Sequence, residues 1–244
     1  MKNLAKKLSA IAALALFTAV PALADHHEAA EDRIDHWIGF RAGGNEPFWS
    51  LVFDDALMNI EHIGVFSAAA PRTRPEITLN GTVFMSRIEE GEERDFVVLV
   101  EDTLCSDSMS GMPFPKSVRV FVEGRHFSGC GGDTRSLLAG AEWRVTSLAG
   151  EDVPVSAGQL FQFDADGGMS GSGGCNRFTT SYELGEGIGF GPIAATRRAC
   201  INPEISRLEG LLFTTLGTVI SFEIGEDGML TLFAEFGPVL TARR

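Results

Sequence analysis

Four cysteines are the residues of this 244-residue chain best suited to chemistry. Cys105 and Cys130 stand 25 positions apart, and so do Cys175 and Cys200. A cysteine nucleophile needs a depressed pKa and a neighbouring base. His62 and His126 are the histidines available in the first half of the body, so Cys105 with His126 is the pair that can be drawn there. The second half has no histidine, which excludes a Ser-His or Cys-His site built from that half alone. Oxidation to cystine would remove the nucleophile altogether. Four cysteines allow three connectivities. One pair falls in each half of the chain, a pattern that points to two modules, each with its own disulfide. The sequence has no C-x-x-C or C-x-x-H cluster, so a structural zinc site is not expected.

Other reactive-looking residues have plainer readings. Ser170 and Ser172 lie in a glycine-rich run that is neither G-x-S-x-G nor a phosphate-binding G-x-x-x-x-G-K-[ST] loop. The glycines there suit a tight turn and a close backbone approach before Cys175, with Asn176 capping or bridging backbone groups. Carboxylate pairs are plentiful (Asp54-Asp55, Glu89-Glu90, Glu92-Glu93, Glu101-Asp102), but most flank turns, and none has the spacing of an acid/base pair. The remaining candidate depends on processing. Lys2, Lys6 and Lys7 precede an apolar run over 8–20 and then Pro21-Ala22-Leu23-Ala24, the layout of a signal peptide cleaved after Ala24. That cut would leave Asp25-His26-His27 at the new N-terminus. A free amine, two amide nitrogens and the His27 imidazole would form a square-planar set for Cu(II) or Ni(II). No cofactor motif occurs.

Elements that must position these residues follow from composition and pattern. The mature chain would hold 220 residues (244 minus 24), with 17 basic against 33 acidic residues and a net charge near −16. That charge argues against nucleic-acid binding and against attraction to anionic lipid. After an acidic lead-in over 25–36, strands are expected from Pro47 to Phe53, from Phe96 to Glu101 and from Ser117 to Val122. Asn80-Gly81 is expected to turn a hairpin between Thr78-Leu79 and Thr82-Phe84. Beyond a seam near 131–140 come strands at Trp143-Val145, Leu160-Phe163, Phe178-Leu184, Gly187-Phe190, Val219-Ile224, Met229-Phe233 and Val239-Ala242. One helix is expected, with Asn202 as N-cap, Pro203 at N1, Glu204 at its positive end, an apolar stripe of Ile205, Leu208, Leu212 and Leu216, and Gly217 at C′. The fold class is therefore α+β and predominantly antiparallel β. It comprises two small β-rich domains, 37–132 and 137–244, the second with one helix packed on a curved sheet.

The second half resembles the META domain, the family of the heat-shock protein HslJ. The resemblance rests on Trp143-Arg144-Val145, Phe161-Gln162-Phe163 with its Asp166-Gly167 turn, and Ser170 through Phe178 with Gly174-Cys175-Asn176-x-Phe178. It continues through Tyr182, Thr196-Arg197-Arg198-Ala199-Cys200 and the Glu204 helix to a closing strand pair ending in Leu240. The family often carries methionine where this chain has Arg198. The first half is similar to an uncharacterised envelope domain through Gly44-Asn45-Glu46-Pro47-Phe48-Trp49, Cys105-Ser106-Asp107-Ser108-Met109-Ser110, Phe114-Pro115 and Gly129-Cys130. Both resemblances imply an envelope location and a tie to stress or antibiotic tolerance. Neither family has established catalytic residues, so no enzyme is implied. The leading expectation is a non-catalytic periplasmic or secreted protein that binds an envelope partner, with no transmembrane segment after cleavage. The alternatives are a small-molecule or lipid-binding module, or an acidic inhibitor of a basic envelope hydrolase such as lysozyme.

Overall fold

The computed structural model describes residues 36–88 and 94–244. The signal-like segment, most of the lead-in and the copper-type candidate His27 lie outside the described residues. The fold is α+β and predominantly antiparallel, with two curled sheets and one long helix.

The first sheet opens as a meander of β1 (Arg41–Asn45), β2 (Phe48–Phe53), β3 (Leu57–His62) and β4 (Phe66–Pro71). It continues with β5 (Glu76–Thr78), β6 (Gly81–Ile88) and β7 (Arg94–Glu101). A two-stranded ribbon, β8 (Cys105–Ser106) and β9 (Pro113–Phe114), stands apart before β10 (Lys116–Val122) and β11 (Arg125–Gly131) return to the sheet. The spatial order is β4-β3-β2-β1-β11-β10-β7-β6-β5. Alternation explains the curl: Val118, Val120 and Val122 are buried while Arg119 and Phe121 face out, so one face must wrap a core. Leu51, Phe53, Met58, Phe84, Phe96 and Phe127 share that core. Side chains tie the far strands together, because Ser86 Oγ donates to the Pro71 carbonyl at 2.7 Å and Thr73 Oγ1 to that of Met85 at 2.9 Å.

The Asn80-Gly81 hairpin forms one residue earlier than its sequence implies. Thr78 pairs with Gly81, which leaves Leu79 and Asn80 as the turn residues. The Thr78 hydroxyl holds this register by donating to the Gly81 carbonyl and accepting from Asn80 N–H. Gly81 serves packing instead: a Cβ there would lie 2.9 Å from the Glu101 Cα.

The second sheet follows a one-turn helix, Arg135–Leu138. Its strands are β12 (Glu142–Leu148), β13 (Glu151–Asp152), β14 (Gln159–Phe163), β15 (Gly168–Gly173), β16 (Arg177–Leu184), β17 (Ile188–Phe190) and β18 (Ala194–Ala195). After the helix Pro203–Leu216 come β19 (Ser221–Ile224), β20 (Leu230–Ala234) and β21 (Gly237–Arg243). The main order is β17-β16-β15-β14-β12-β21-β20-β19, and Ile188 N–H donates to the Ile220 carbonyl at 3.0 Å, bringing the two ends together. Trp143, Phe161, Phe163, Phe178 and Phe222 fill the interior beneath Leu208, Leu212 and Leu216 of the helix. Asn202 caps that helix by accepting from Glu204 and Ile205 N–H. Gly217 is its C-cap in the right-handed region, at φ −70°, so the left-handed C′ role expected for it is not used.

Two boundaries look different in three dimensions. The Gly/Ser run expected to turn is strand β15, and its glycines permit close packing: a Cβ at Gly171 would lie 2.8 Å from the Phe161 Cα. The β8–β9 ribbon also reaches across. Met112 is buried in the second core with Phe114 packed on it, and the buried Thr134 donates its hydroxyl to the Pro113 carbonyl at 3.0 Å.

Candidate functional site

Two clusters gather the motif residues, one on each sheet. In the first, β1 and β2 carry Gly43-Gly44-Asn45-Glu46-Pro47-Phe48-Trp49, with a cis bond before Pro47. The Trp49 indole crosses the β1–β11 seam and donates to the Ser128 carbonyl at 3.2 Å. It can do so because residue 44 has no side chain. A Cβ at Gly44 would fall 2.5 Å from the indole nitrogen and 2.6 Å from the Ser128 oxygen. Gly44→Ala is therefore expected to displace the indole and destabilise the protein by about 1–3 kcal/mol, the usual range for overpacking plus a strained hydrogen bond. Urea unfolding followed by tryptophan fluorescence measures it, and an unchanged midpoint would mean that Trp49 is no clamp.

Asn45 extends the cluster to the ribbon. Its amide donates to Asp107 Oδ2 at 2.7 Å and to Ser108 Oγ at 3.1 Å. The other carboxylate oxygen of Asp107 accepts from Met109 N–H, Ser110 N–H and the Ser110 hydroxyl. Partial burial alone would raise this carboxyl, but the hydrogen bonds from Ser110, Asn45 and Met109 outweigh it and hold Asp107 below the ordinary carboxylate range. Asp107 is thus an ionised acceptor that folds its own loop. Cys105 and Cys130 are joined in a disulfide, tying β8 to β11. Cys105 has no thiol to pair with His126, whose ring stacks on Phe121 at 4.8 Å. His62 instead packs edge-on against Phe127 at 5.5 Å.

Beside this clasp lies an open cleft of about 400 Å³, lined by Asn45, Phe48, Trp49, Ile63, Asp107 and Phe114 among others. Phe48 is 52% and Ile63 61% exposed. A neighbouring hollow of about 410 Å³ lies along Glu46, Ser106, Ser108 and Arg119 and shares Asn45 and Asp107 with the first.

The second cluster is buried. Glu209, on the sheet-facing side of the long helix, is only 8% exposed. Its Oε2 accepts from Cys175 N–H at 3.1 Å and Asn176 N–H at 2.6 Å, and its Oε1 accepts from the Asn176 amide at 2.6 Å. Asn176 Oδ1 then accepts from the Thr196 hydroxyl at 2.9 Å and Arg198 N–H at 2.7 Å. The Cys175–Cys200 disulfide closes the same loop. Glycines make the room: a Cβ at Gly173 would lie 2.6 Å from Glu209 Oε2, and one at Gly174 would lie 2.5 Å from the Ala157 carbonyl oxygen and 2.6 Å from Ile205 Cγ2.

The structure brings Gly174, Asn176 and Thr196 together here and sets the other motif residues apart. Trp143 is fully buried and donates to the Leu138 carbonyl at 2.9 Å. Phe178 packs in the core against Phe213, with ring centroids 5.3 Å apart. Glu204 is exposed, and its bonds to Arg207 hold its carboxyl below the ordinary range; Arg207 also grips Glu151 at 2.6 Å. Glu209 escaped the sequence reading. It falls on the apolar stripe, four residues after Ile205 and three before Leu212, and a carboxylate on that face was the available signal. Among the described residues, no cluster of three or more His, Cys, Asp or Glu has a metal-holding arrangement.

The family model that matches this chain is that of the META domain, over residues 136–244. The C-terminal half of the chain is a META domain. No curated protein matches the chain. Among solved structures, an NMR structure of a protein from Burkholderia xenovorans is 24% identical, covering 45% of this chain and 84% of its own, with a TM-score of 0.38. A second NMR structure is 25% identical, covering 46% of this chain and 95% of its own, at the same TM-score of 0.38. The META domain is not a known enzyme family. Of its motif residues here, Asn176 and Thr196 help lock the β15–β16 loop to the helix and to the segment before it. In this META domain, Arg198 contributes its backbone N–H to the lock, so the side chain that departs from the family pattern is not required for that bond.

Proposed function

We propose that this is an exported, non-catalytic envelope protein that binds a partner protein through the cleft beside Asn45 and Asp107, in support of envelope stress or antibiotic tolerance. One observation carries the reading. The polar groups of both motif clusters are spent on structural hydrogen bonds, whereas the cleft beside the first cluster presents exposed Phe48 and Ile63. An apolar centre with a polar rim is the anatomy of a protein-binding patch. The signal-like N-terminus and the two disulfides support an oxidising compartment outside the cytoplasm. Among the described residues, no helix is long and apolar enough to cross a membrane.

The test is photo-crosslinking in cells from probes placed at Phe48 and Ile63, with Phe236, which is 96% exposed on the other sheet, as control. A discrete adduct from the two cleft positions, absent at 236, is the expected result. Absence of an adduct at both cleft positions, or the same adduct from 236, overturns the assignment of the cleft. Turnover of an envelope substrate by the purified protein would overturn the non-catalytic reading.

A further inference from the structure

We infer that Arg177, Arg197 and Arg198 form a binding site on the META domain for a phosphate-type oxyanion. The chain is strongly acidic, with 33 Asp and Glu against 20 Lys and Arg, and most arginines among the described residues are spoken for. Arg87, Arg94, Arg119, Arg125, Arg135, Arg144, Arg207 and Arg243 all ion-pair with carboxylates. Arg177, Arg197 and Arg198 are exposed, and none pairs with a carboxylate among the described residues.

The fold brings these three residues to one place and fixes them there. Phe178 pairs with Ala195 in the β16–β18 ladder, which sets Arg177 beside Thr196. The Arg177 carbonyl accepts from Thr196 N–H at 3.0 Å, and Arg177 N–H donates to the Thr196 hydroxyl at 3.3 Å. Arg198 N–H is held by Asn176 at 2.7 Å, directly before Arg177 in the chain. The disulfide and the buried Glu209 hold that loop from below. The three backbones are therefore preorganised, so binding loses only side-chain freedom. Glu209 is the nearest negative group in this network, and three N–H donors already occupy its oxygens.

Chemistry selects the ligand. One guanidinium fork satisfies the two oxygens of a carboxylate, whereas a phosphate offers more oxygens and more charge and can accept from two or three forks at once. The net charge of the chain does not forbid this. Screening over about 8 Å at physiological salt leaves the local arginines in control of the field at the site. The phosphate could belong to a soluble ligand or to a lipid headgroup. Ile201, 97% exposed and next to Cys200, would suit contact with a membrane in the second case.

The experiment titrates the full mature protein with inorganic pyrophosphate, reading arginine side-chain Nε–H resonances by NMR, and floats it with phosphatidylglycerol or phosphatidylcholine vesicles. The comparison proteins are Arg177→Gln/Arg198→Gln and, as control, Arg74→Gln, an exposed arginine on the first half of the chain. Saturable shifts with pyrophosphate support the site and a soluble source. Flotation with phosphatidylglycerol alone supports the site and a lipid source. In either case the double variant should bind about tenfold or more weakly, with Arg74→Gln unchanged. No saturable shift together with no flotation overturns the inference, as does an equal loss in the Arg74→Gln protein.

Discussion

Glu209→Ala should destabilise the META half by about 3–5 kcal/mol, well above a typical substitution. The variant removes the acceptor for two backbone N–H groups and the Asn176 amide, leaving both Asn176 donors buried and the Cys175 N–H part-buried. Each unsatisfied buried donor costs about 1–3 kcal/mol, and the cavity left by the side chain adds to that. Glu209→Gln tests the explanation further. Its single oxygen can take the Cys175 and Asn176 N–H groups, but its new amide then meets the Asn176 amide donor to donor. Asn176 cannot answer by rotating, because its oxygen is held by Thr196 and Arg198. Glu209→Gln should therefore lie between wild type and Glu209→Ala in urea midpoint. If Glu209→Gln matched wild type, a carboxylate would not be needed and the network would not be the lock described.

The same residue shows where sequence pattern stops being informative. The long helix was readable because its signals are local: Asn202 caps, Pro203 opens, and Ile205, Leu208, Leu212 and Leu216 recur on one face. Valine alternation placed β10 for the same reason. Glu209 breaks that pattern, and its partners lie 33 and 34 positions away in sequence, so no local rule could supply them. β15 was hidden by composition. Gly168-Met169-Ser170-Gly171-Ser172-Gly173 has poor strand propensity, yet its glycines are what let β14 and the helix approach. In β4, Ala68-Ala69-Ala70 likewise lacks strand signals and is held by its pairing with β3. The hairpin at Asn80-Gly81 shifted by one because the Thr78 hydroxyl and the tight contact of Gly81 with β7 set the register. Neither interaction appears in a turn motif. The first cluster was half readable. The Gly44–Trp49 and Cys105–Ser110 motifs stood out in sequence, but only the fold joins them through Asn45 and Asp107.

Removing the Cys175–Cys200 disulfide, as Cys175→Ala/Cys200→Ala, is the second large effect. The bond closes a loop with a sequence separation of 25, for which chain entropy gives about 3 kcal/mol. How that loss appears in a melting curve depends on whether the halves are separate domains, as we propose for 37–132 and 137–244. A cooperative unit of about 100 residues moves about 4–8 °C per kcal/mol, and one of about 200 residues about 2–4 °C. Two domains therefore predict two calorimetric transitions, with the META transition falling by about 12–24 °C in this variant and the other unchanged. Cys105→Ala/Cys130→Ala should do the converse. A single transition that slides by about 6–12 °C in both variants would refute the division. The contest is a real one, because Met112 and Phe114 of the first half pack into the META core and Thr134 binds Pro113. Those few contacts are set against separate cores of Leu51, Phe53 and Phe96 on one side and Trp143, Phe161 and Leu212 on the other. Burying one methionine side chain is worth about 1.5–3 kcal/mol, less than either core supplies alone, and for that reason two transitions are expected.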